Sequence, residues 1–390
     1  MNAPTAIALN ILHTAKAEIH AHSRRRLLLA GLLLLLSFIG TCAGISYLAR
    51  GWPGSPPLPV LDAKLADLAR HGGGVDTLFI GSSHVATQLD PVSVDAGAAA
   101  QGCSMHSYNL GVPRLNWLEQ RYLVRRTRAL ALPHLRWVFM DLPLNTVIPL
   151  DHMSDDRIRY FSHPDDMRTA FDDLWSVPHS ILGRLWRTVT LFLAFAYDET
   201  GTGDLVSALF KPPINAVDAD EVSRIDFTRR GFMPLSVDKL RGAALARRAE
   251  FMLDGMPEFK RRLAELLADT GPAMPLPAYR LDAIRALVRQ AHTLAPAIGL
   301  LIMPSPLAGD VDEDRALQQA WPALAPDIPL LNFNDPRRVP EFADSRLWYD
   351  DAHLQEPSAV ALSRQIGAAL CRAMHGSNAP RDAAAPGAPS

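Results

Sequence analysis

Val75–Pro91 reads VDTLFIGSSHVATQLDP, and this stretch decides the fold. Val75, Leu78, Phe79 and Ile80 form a short apolar run that Gly81 cuts off. A run of that length bounded by glycine predicts a strand buried on both faces, as in a parallel sheet. A small polar residue just beyond such a strand stands at the carboxyl edge of the sheet, where open α/β folds gather their ligands. Ser83 is therefore the candidate nucleophile. A serine hydroxyl is a weak nucleophile unless a base takes its proton, so a histidine has to come from elsewhere. His84 is poorly placed for the task, because successive side chains point in different directions.

A suitable histidine lies near the other end. Leu347–Leu354 reads LWYDDAHL, with Asp350 and His353 three positions apart. In a helical turn that spacing makes the two side chains neighbours, roughly 5–6 Å between Cβ atoms. The carboxylate would hold the imidazole in one tautomer and stabilise the imidazolium as it forms. Asp351 competes for the same role, but an i,i+2 pair does not face each other on a helix.

Outward from these two anchors, apolar runs and amphipathic stretches alternate. Residues 105–110 read as a second strand ending at Gly111, 135–142 as a third, 298–303 as a fourth and 328–333 as a fifth. Helical periodicity covers 61–70, 94–100, 117–130, 279–294, 311–323 and 358–374. Strand and helix in alternation predict a doubly wound α/β domain over 61–375. The alternation breaks over 143–277, which reads as a mainly helical insertion above the carboxyl edge, a lid or substrate platform. Its helices are expected at 239–251 and 257–268, and its apolar stretch at 181–197. Asn145 follows the third strand in DLPLN and suits a turn as well as a binding role. Ser305 also follows a strand, but its flanking prolines predict a rigid loop.

The chain has 390 residues, a net charge of -2 and no basic stripe interleaved with aromatics, which argues against nucleic acid. Residues 1–26 end in three arginines, and Leu27 to Leu48 is uncharged. That length suffices to cross a bilayer core of about 30 Å, and the arginines keep the N-terminus cytoplasmic. A signal anchor is thus expected at 27–48, a Pro/Gly-rich linker at 49–60 and a disordered Ala/Pro tail at 376–390. Cys103 and Cys371 are expected as separate buried thiols, although an oxidising compartment permits their pairing. Asp151, His152, Asp155, Asp156, His163, Asp165 and Asp166 crowd one region without any recognised metal-ligand spacing and read as solvated loop residues. No metal or cofactor is expected.

The combination of Gly81-Ser82-Ser83 after a strand, a later Asn109-Leu110-Gly111 and a late Asp350-Asp351-Ala352-His353 resembles the SGNH (GDSL-like) hydrolase superfamily. The resemblance implies a flavodoxin-like, three-layer α/β/α fold with a parallel sheet. It implies Ser83 as nucleophile, Asp350 and His353 as the other triad members, and Gly111 and Asn145 in the oxyanion hole. Two departures stand out: the usual GDS is GSS here, and no clear G-x-N-D surrounds Asn145. One N-terminal anchor followed by such a domain is similar to the accessory proteins of alginate and teichoic-acid acylation. By that likeness the chain is a single-pass protein of a bacterial inner membrane with its C-terminal domain in the periplasm. The substrate implied is an acylated polysaccharide, with a polytopic membrane acyltransferase as partner. The rival expectation is a catalytically inactive protein of the same fold that binds glycan or scaffolds a complex.

Overall fold

The computed structural model describes residues 59–115, 119–141, 164–176, 180–199, 216–239, 242–268, 273, 275–305, 308–335 and 339–377, with helical positions between 26 and 44. Contacts divide the chain into two compact units, residues 1–56 with 192–211 and residues 57–191 with 212–390. Among the described residues no helix is long and apolar enough to cross a membrane. Of the expected span, Leu27, Leu35, Ile39, Cys42, Ala43 and 45–48 lie outside the described residues.

The larger unit is an α/β fold. Its strands are β1 (Thr77–Gly81), β2 (Ser107–Gly111), β3 (Trp137–Asp141), β4 (Ala297–Ile302) and β5 (Leu330–Asn332). All pair in parallel in the order β2-β1-β3-β4-β5, so β1 lies between β2 and β3. That is the order of a doubly wound sheet whose switch point lies between β1 and β3. β1 to β4 are almost wholly buried, which is why β1, β3 and β4 run largely apolar instead of alternating, while β5 at the edge is half-buried. Phe79 and Phe139 are partners in register and stack with ring centroids 5.8 Å apart. They join Leu301 and residues of the helices below in one core cluster. Gly299 stands opposite Phe139, where a Cβ would approach the ring to 2.3 Å.

The helices described are α1 (Pro59–His71), α2 (Ser83–Gln88), α3 (Pro91–Ala99), α4 (Glu119–Arg128), α5 (Pro164–Ser176), α6 (Ile181–Glu199), α7 (Ala216–Ser223), α8 (Gly242–Glu250), α9 (Met256–Ala268), α10 (Ala278–Ala291), α11 (Ala308–Leu324) and α12 (Glu356–Ser377). The start of α3 is written into Asp90-Pro91: Asp90 caps the Ser93 N–H at 3.2 Å, and proline at N1 forfeits no internal bond. α12 packs closely on α3. A Cβ on Gly97 would meet the Arg364 carbonyl at 2.1 Å, and one on Gly367 would meet that of Val94 at 1.9 Å. A disulfide, Cys103–Cys371, with Cα atoms 5.7 Å apart, staples α12 to the turn that follows α3. The expectation of two separate thiols is corrected here. A sequence separation of 268 gave no hint that the helix–helix contact would bring the cysteines together.

The insertion is less lid-like than its composition suggests. α8 and α9 are one run, joined through a π-helical turn at Phe251–Gly255, just after which stands Pro257, a residue with no N–H to donate. Residues 225–235 form a tight turn, closed by an Asp226–Phe232 bridge around a 3-10 helix at Phe227–Arg229, and are built into the core. The Arg230 carbonyl accepts from Asn109 N at 3.0 Å and Met233 N donates to the Ala86 carbonyl at 2.9 Å. Phe232 and Met233 are fully buried. This segment is hydrogen-bonded to β2 and to α2.

Candidate active site

β1 ends at Gly81, Ser82 is extended, and α2 begins at Ser83. Ser82 is the helix cap: its hydroxyl accepts from His84 N at 3.2 Å and donates to Asp141 Oδ2 at 3.1 Å. Asp141 is the last residue of β3, and its Oδ1 accepts from Met303 N at 3.3 Å. The hydroxyl of Ser82 is thus tied on both sides, which fixes the first turn of α2.

The histidine arrives on a loop, not on the helical turn expected for it. Trp348 and Leu354 pair as an antiparallel bridge, and Tyr349 N donates to the His353 carbonyl at 2.6 Å. Trp348 anchors this loop. It is fully buried, its indole N–H donates to the Phe342 carbonyl at 2.9 Å, and its ring lies against Phe259 and Phe342. Inside the loop Asp350 Oδ1 accepts from the backbone N–H groups of Ala352 and His353 at 2.9 and 2.8 Å. An aspartate capping its own turn in this way is an ordinary loop motif, and it brings residues three apart together as a helix would. Gln88, at the end of α2, donates to the Ala352 carbonyl at 3.2 Å and the Pro304 carbonyl at 3.1 Å, binding the loop to the nucleophile helix.

The outcome is a relay. His353 Nδ1 lies 2.9 and 3.0 Å from the Asp350 oxygens, and His353 Nε2 lies 2.9 Å from Ser83 Oγ. An ionised carboxylate only accepts, so Nδ1 carries the proton and Nε2 is left to accept from the serine. Burial pushes the Asp350 carboxyl up. The His353 charge, the imidazole hydrogen bond and the two backbone N–H groups outweigh it, so Asp350 stays below its ordinary value. Asp351 points elsewhere and pairs with Arg262 at 3.3 Å. His84 does not touch Ser83 as a base. Its ring lies 5.5 Å from that of His353, and burial, then the His353 charge, push it down to about 3 despite a partial offset from Asp350.

The backbone of Gly111 is engaged on both sides. Its N–H donates to Asn109 Oδ1 at 2.8 Å, and its carbonyl accepts from Lys64 Nζ at 2.7 Å. The glycine serves another end, since a Cβ there would meet Ala86 N at 2.3 Å and push α2 away. Asn109 braces the same helix, donating to the carbonyls of Val85 and Leu89 at 2.7 and 2.6 Å. Lys64 from α1 is fully buried under this turn, and burial holds its amine well below the ordinary value. Asn145 lies outside the described residues, as do Asp151, His152, Asp155, Asp156 and His163 and the side chains of Asp165 and Asp166. Ser305 is buried, with its N–H donated to Asn334 Oδ1 at 2.7 Å.

The cleft that exposes Ser83 and His353 is also lined by Arg114, Glu221, Arg224 and Arg247. Arg114 follows β2 with a left-handed φ of 63°. The other three come from the insertion. No sequence signal marked these residues, because they belong to no motif, and Glu221, Arg224 and Arg247 lie more than a hundred positions from either anchor. Comparisons of the chain with family models, with curated proteins and with solved structures return no match.

Proposed function

We propose that this chain is a serine esterase or O-acyltransferase of the SGNH type, acting on ester-linked acyl groups of a cell-envelope polysaccharide. The observation that carries the reading is the continuous contact from Ser83 Oγ through the imidazole of His353 to Asp350, each step near 2.9 Å. Ser83 Oγ attacks the ester carbonyl carbon while His353 Nε2 takes its proton. The tetrahedral oxyanion collapses and the C–O bond to the sugar breaks. His353 returns the proton to the departing oxygen, leaving an acyl-serine. Water or a second sugar hydroxyl then attacks the acyl-serine, again losing its proton to His353, and Ser83 is regenerated. The Ser83 N–H, in the first turn of α2 where helix N–H groups lack intrahelical partners, is the donor assigned to the oxyanion.

The strand order and the succession GSS, NLG and D-x-x-H support the superfamily reading. The Cys103–Cys371 disulfide supports a domain that folds in an oxidising compartment. Together with the arginines ahead of the uncharged stretch at 27–48, it favours an inner-membrane anchor with this domain in the periplasm. A polytopic membrane acyltransferase is the partner this reading assigns as acyl donor.

The test uses the full chain in detergent. A serine-reactive phosphonate is expected to label Ser83 and to block hydrolysis of a chromogenic acetate ester. Cells carrying Ser83→Ala are expected to change the ester content of their envelope polymer. No labelling together with an unchanged polymer would leave the fold as a glycan-binding scaffold.

A further inference from the structure

We propose that α6 lies flat in the surface of a bilayer with its apolar face among the lipids, a second membrane contact besides the anchor at 27–48. This rests on the reading of that stretch as an anchor. The helix wears its amphipathicity inside out. Over residues 181–191 the exposed positions are Ile181, Leu182, Leu185, Trp186 and Val189, and every one is apolar. Leu182 is 80% exposed and Trp186 72%. Their spacing puts all five on one stripe of the helix, and the sequence carries that stripe on to Phe192 and Leu193. The other side faces protein. Thr188 Oγ1 accepts from the indole N–H of Trp175 at 3.0 Å, the Arg184 guanidinium lies 5.8 Å from the centre of a Trp175 ring, and Leu191 is buried. α6 is thus pinned to α5 by its polar side, and it cannot roll the stripe inward without breaking those contacts.

A contiguous apolar surface of this kind marks an interaction site. Its chemistry fits lipid. Aromatic and aliphatic residues on one face, with arginine on the other, make up a helix held in a membrane interface. The ring of Trp186 suits the depth where an indole body is dry and its N–H is wet. Between 178 and 197 the chain carries Arg184 and Arg187 and no carboxylate, a balance that anionic headgroups attract. Those arginines sit inside the helix, so it lies along a bilayer and does not cross one. The tether keeps the surface within reach: the eleven positions from Leu48 to Pro59 extend to about 40 Å at most. Seating α6 holds the insertion, and with it this side of the Ser83 cleft, at the bilayer.

The test uses the full chain reconstituted in vesicles of phosphatidylethanolamine and phosphatidylglycerol. A photoreactive benzoylphenylalanine replaces Trp186, Val189 or, on the opposite face, Arg187. Illumination is expected to give phospholipid adducts at 186 and 189 in at least about fivefold greater yield than at 187. Leu185→Glu, which sets a charge in the stripe, is expected to lower the yield at 186 by about tenfold. Equal yields at the three positions, or a yield that survives Leu185→Glu, overturns the proposal. So does a crosslink in place of lipid to this chain itself, to a second copy or, in cell membranes, to another protein. Washing the membranes with alkaline carbonate, which strips peripheral proteins and leaves spanning ones, tests the anchor separately. Lipid adducts in a chain that carbonate releases leave α6 standing and remove the anchor. A chain that resists carbonate and forms no adduct does the reverse.

Discussion

Asp350→Asn isolates the part of the relay that the structure makes most specific. The amide introduced keeps an oxygen that can accept from the N–H groups of Ala352 and His353, now bound at 2.9 and 2.8 Å. The loop therefore retains its turn. What changes is the contact with the imidazole. The new NH2 donates, so His353 Nδ1 must become an acceptor and Nε2 must carry the proton. Ser83 Oγ, 2.9 Å away, then faces a donor in place of a base. A hydrogen bond to a charged group is worth about 1.5–3 kcal/mol, and each 1.36 kcal/mol is tenfold in rate. The lost bond alone predicts a fall of about ten- to a hundredfold, and the wrong tautomer deepens it. Two assays report it: the second-order rate of phosphonate labelling at Ser83 and kcat on a chromogenic acetate ester. Both are expected to fall by the same factor, because both read the nucleophilicity of one hydroxyl. Asp351→Asn is the internal control. That carboxylate is half exposed and paired with Arg262, so its loss is expected to move neither rate. Labelling of the Asp350→Asn protein at the wild-type rate would refute the relay, and a larger loss from Asp351→Asn would assign the acid wrongly.

Three further outcomes follow from other contacts. Cys103 and Cys371 close a loop of 268 positions, for which the chain-entropy relation gives about 5–6 kcal/mol. Reduction or a Cys103→Ser, Cys371→Ser pair is expected to cost about 2–5 kcal/mol in denaturant unfolding, and thiol titration of unreduced protein should find these two cysteines blocked. Gly111→Ala inserts a methyl group where Ala86 N stands 2.3 Å away, so it should cost about 1–3 kcal/mol and slow phosphonate labelling, because the helix it displaces begins with Ser83. His84 stays neutral in the fold down to about 3 but takes its proton near 6.5 when unfolded. Between those values the unfolded state binds more protons, so stability is full above pH 6.5 and falls as the pH drops. Asp350, held low, adds a further loss below the ordinary carboxylate value of 3.8. Unfolding curves between pH 7 and 4 should show this slope, and His84→Gln should flatten it.

Most of the sheet is legible in the sequence because it is buried on both faces. Short apolar runs ended by glycine or a polar residue are what such strands require, and β1 to β4 fall where the runs stand. Ser83 and the D-x-x-H pair are legible because each depends on local placement, past a strand or within one turn. The partner of the Gly111 N–H is something that spacing cannot carry. Whether its N–H faces a cleft depends on the Asn109 side chain two residues earlier, which takes it instead. The disulfide and the arginine-lined cleft were hidden for a related reason. Both are contacts between segments far apart in the chain, created by the packing of α12 on α3 and by the return of the insertion over β2. The piece at 225–235 was unreadable as core because charged residues separate its buried ones, Ile225, Phe232, Met233 and Leu235.

The GSS departure also takes on a different meaning beside the coordinates. In the family pattern the second position of the first motif carries an acid, and here it carries Ser82. A carboxylate nevertheless stands at that point: Asp141, from the end of the neighbouring strand, reaches the Ser82 hydroxyl at 3.1 Å. Asp141 is almost fully buried, so its charge needs donors, and it has them in Ser82 Oγ and Met303 N. Ser82 in turn uses its remaining acceptor capacity on His84 N. Ser82 and Asp141 together place a hydrogen-bonded carboxylate at the base of the turn that presents Ser83. Gln120 from α4 donates to the Asp141 carbonyl, which ties the position to a third element. The turn that presents Ser83 is thus held by β1, β3 and the loop after β4 at once, and rigid support of that kind is what a reacting hydroxyl requires.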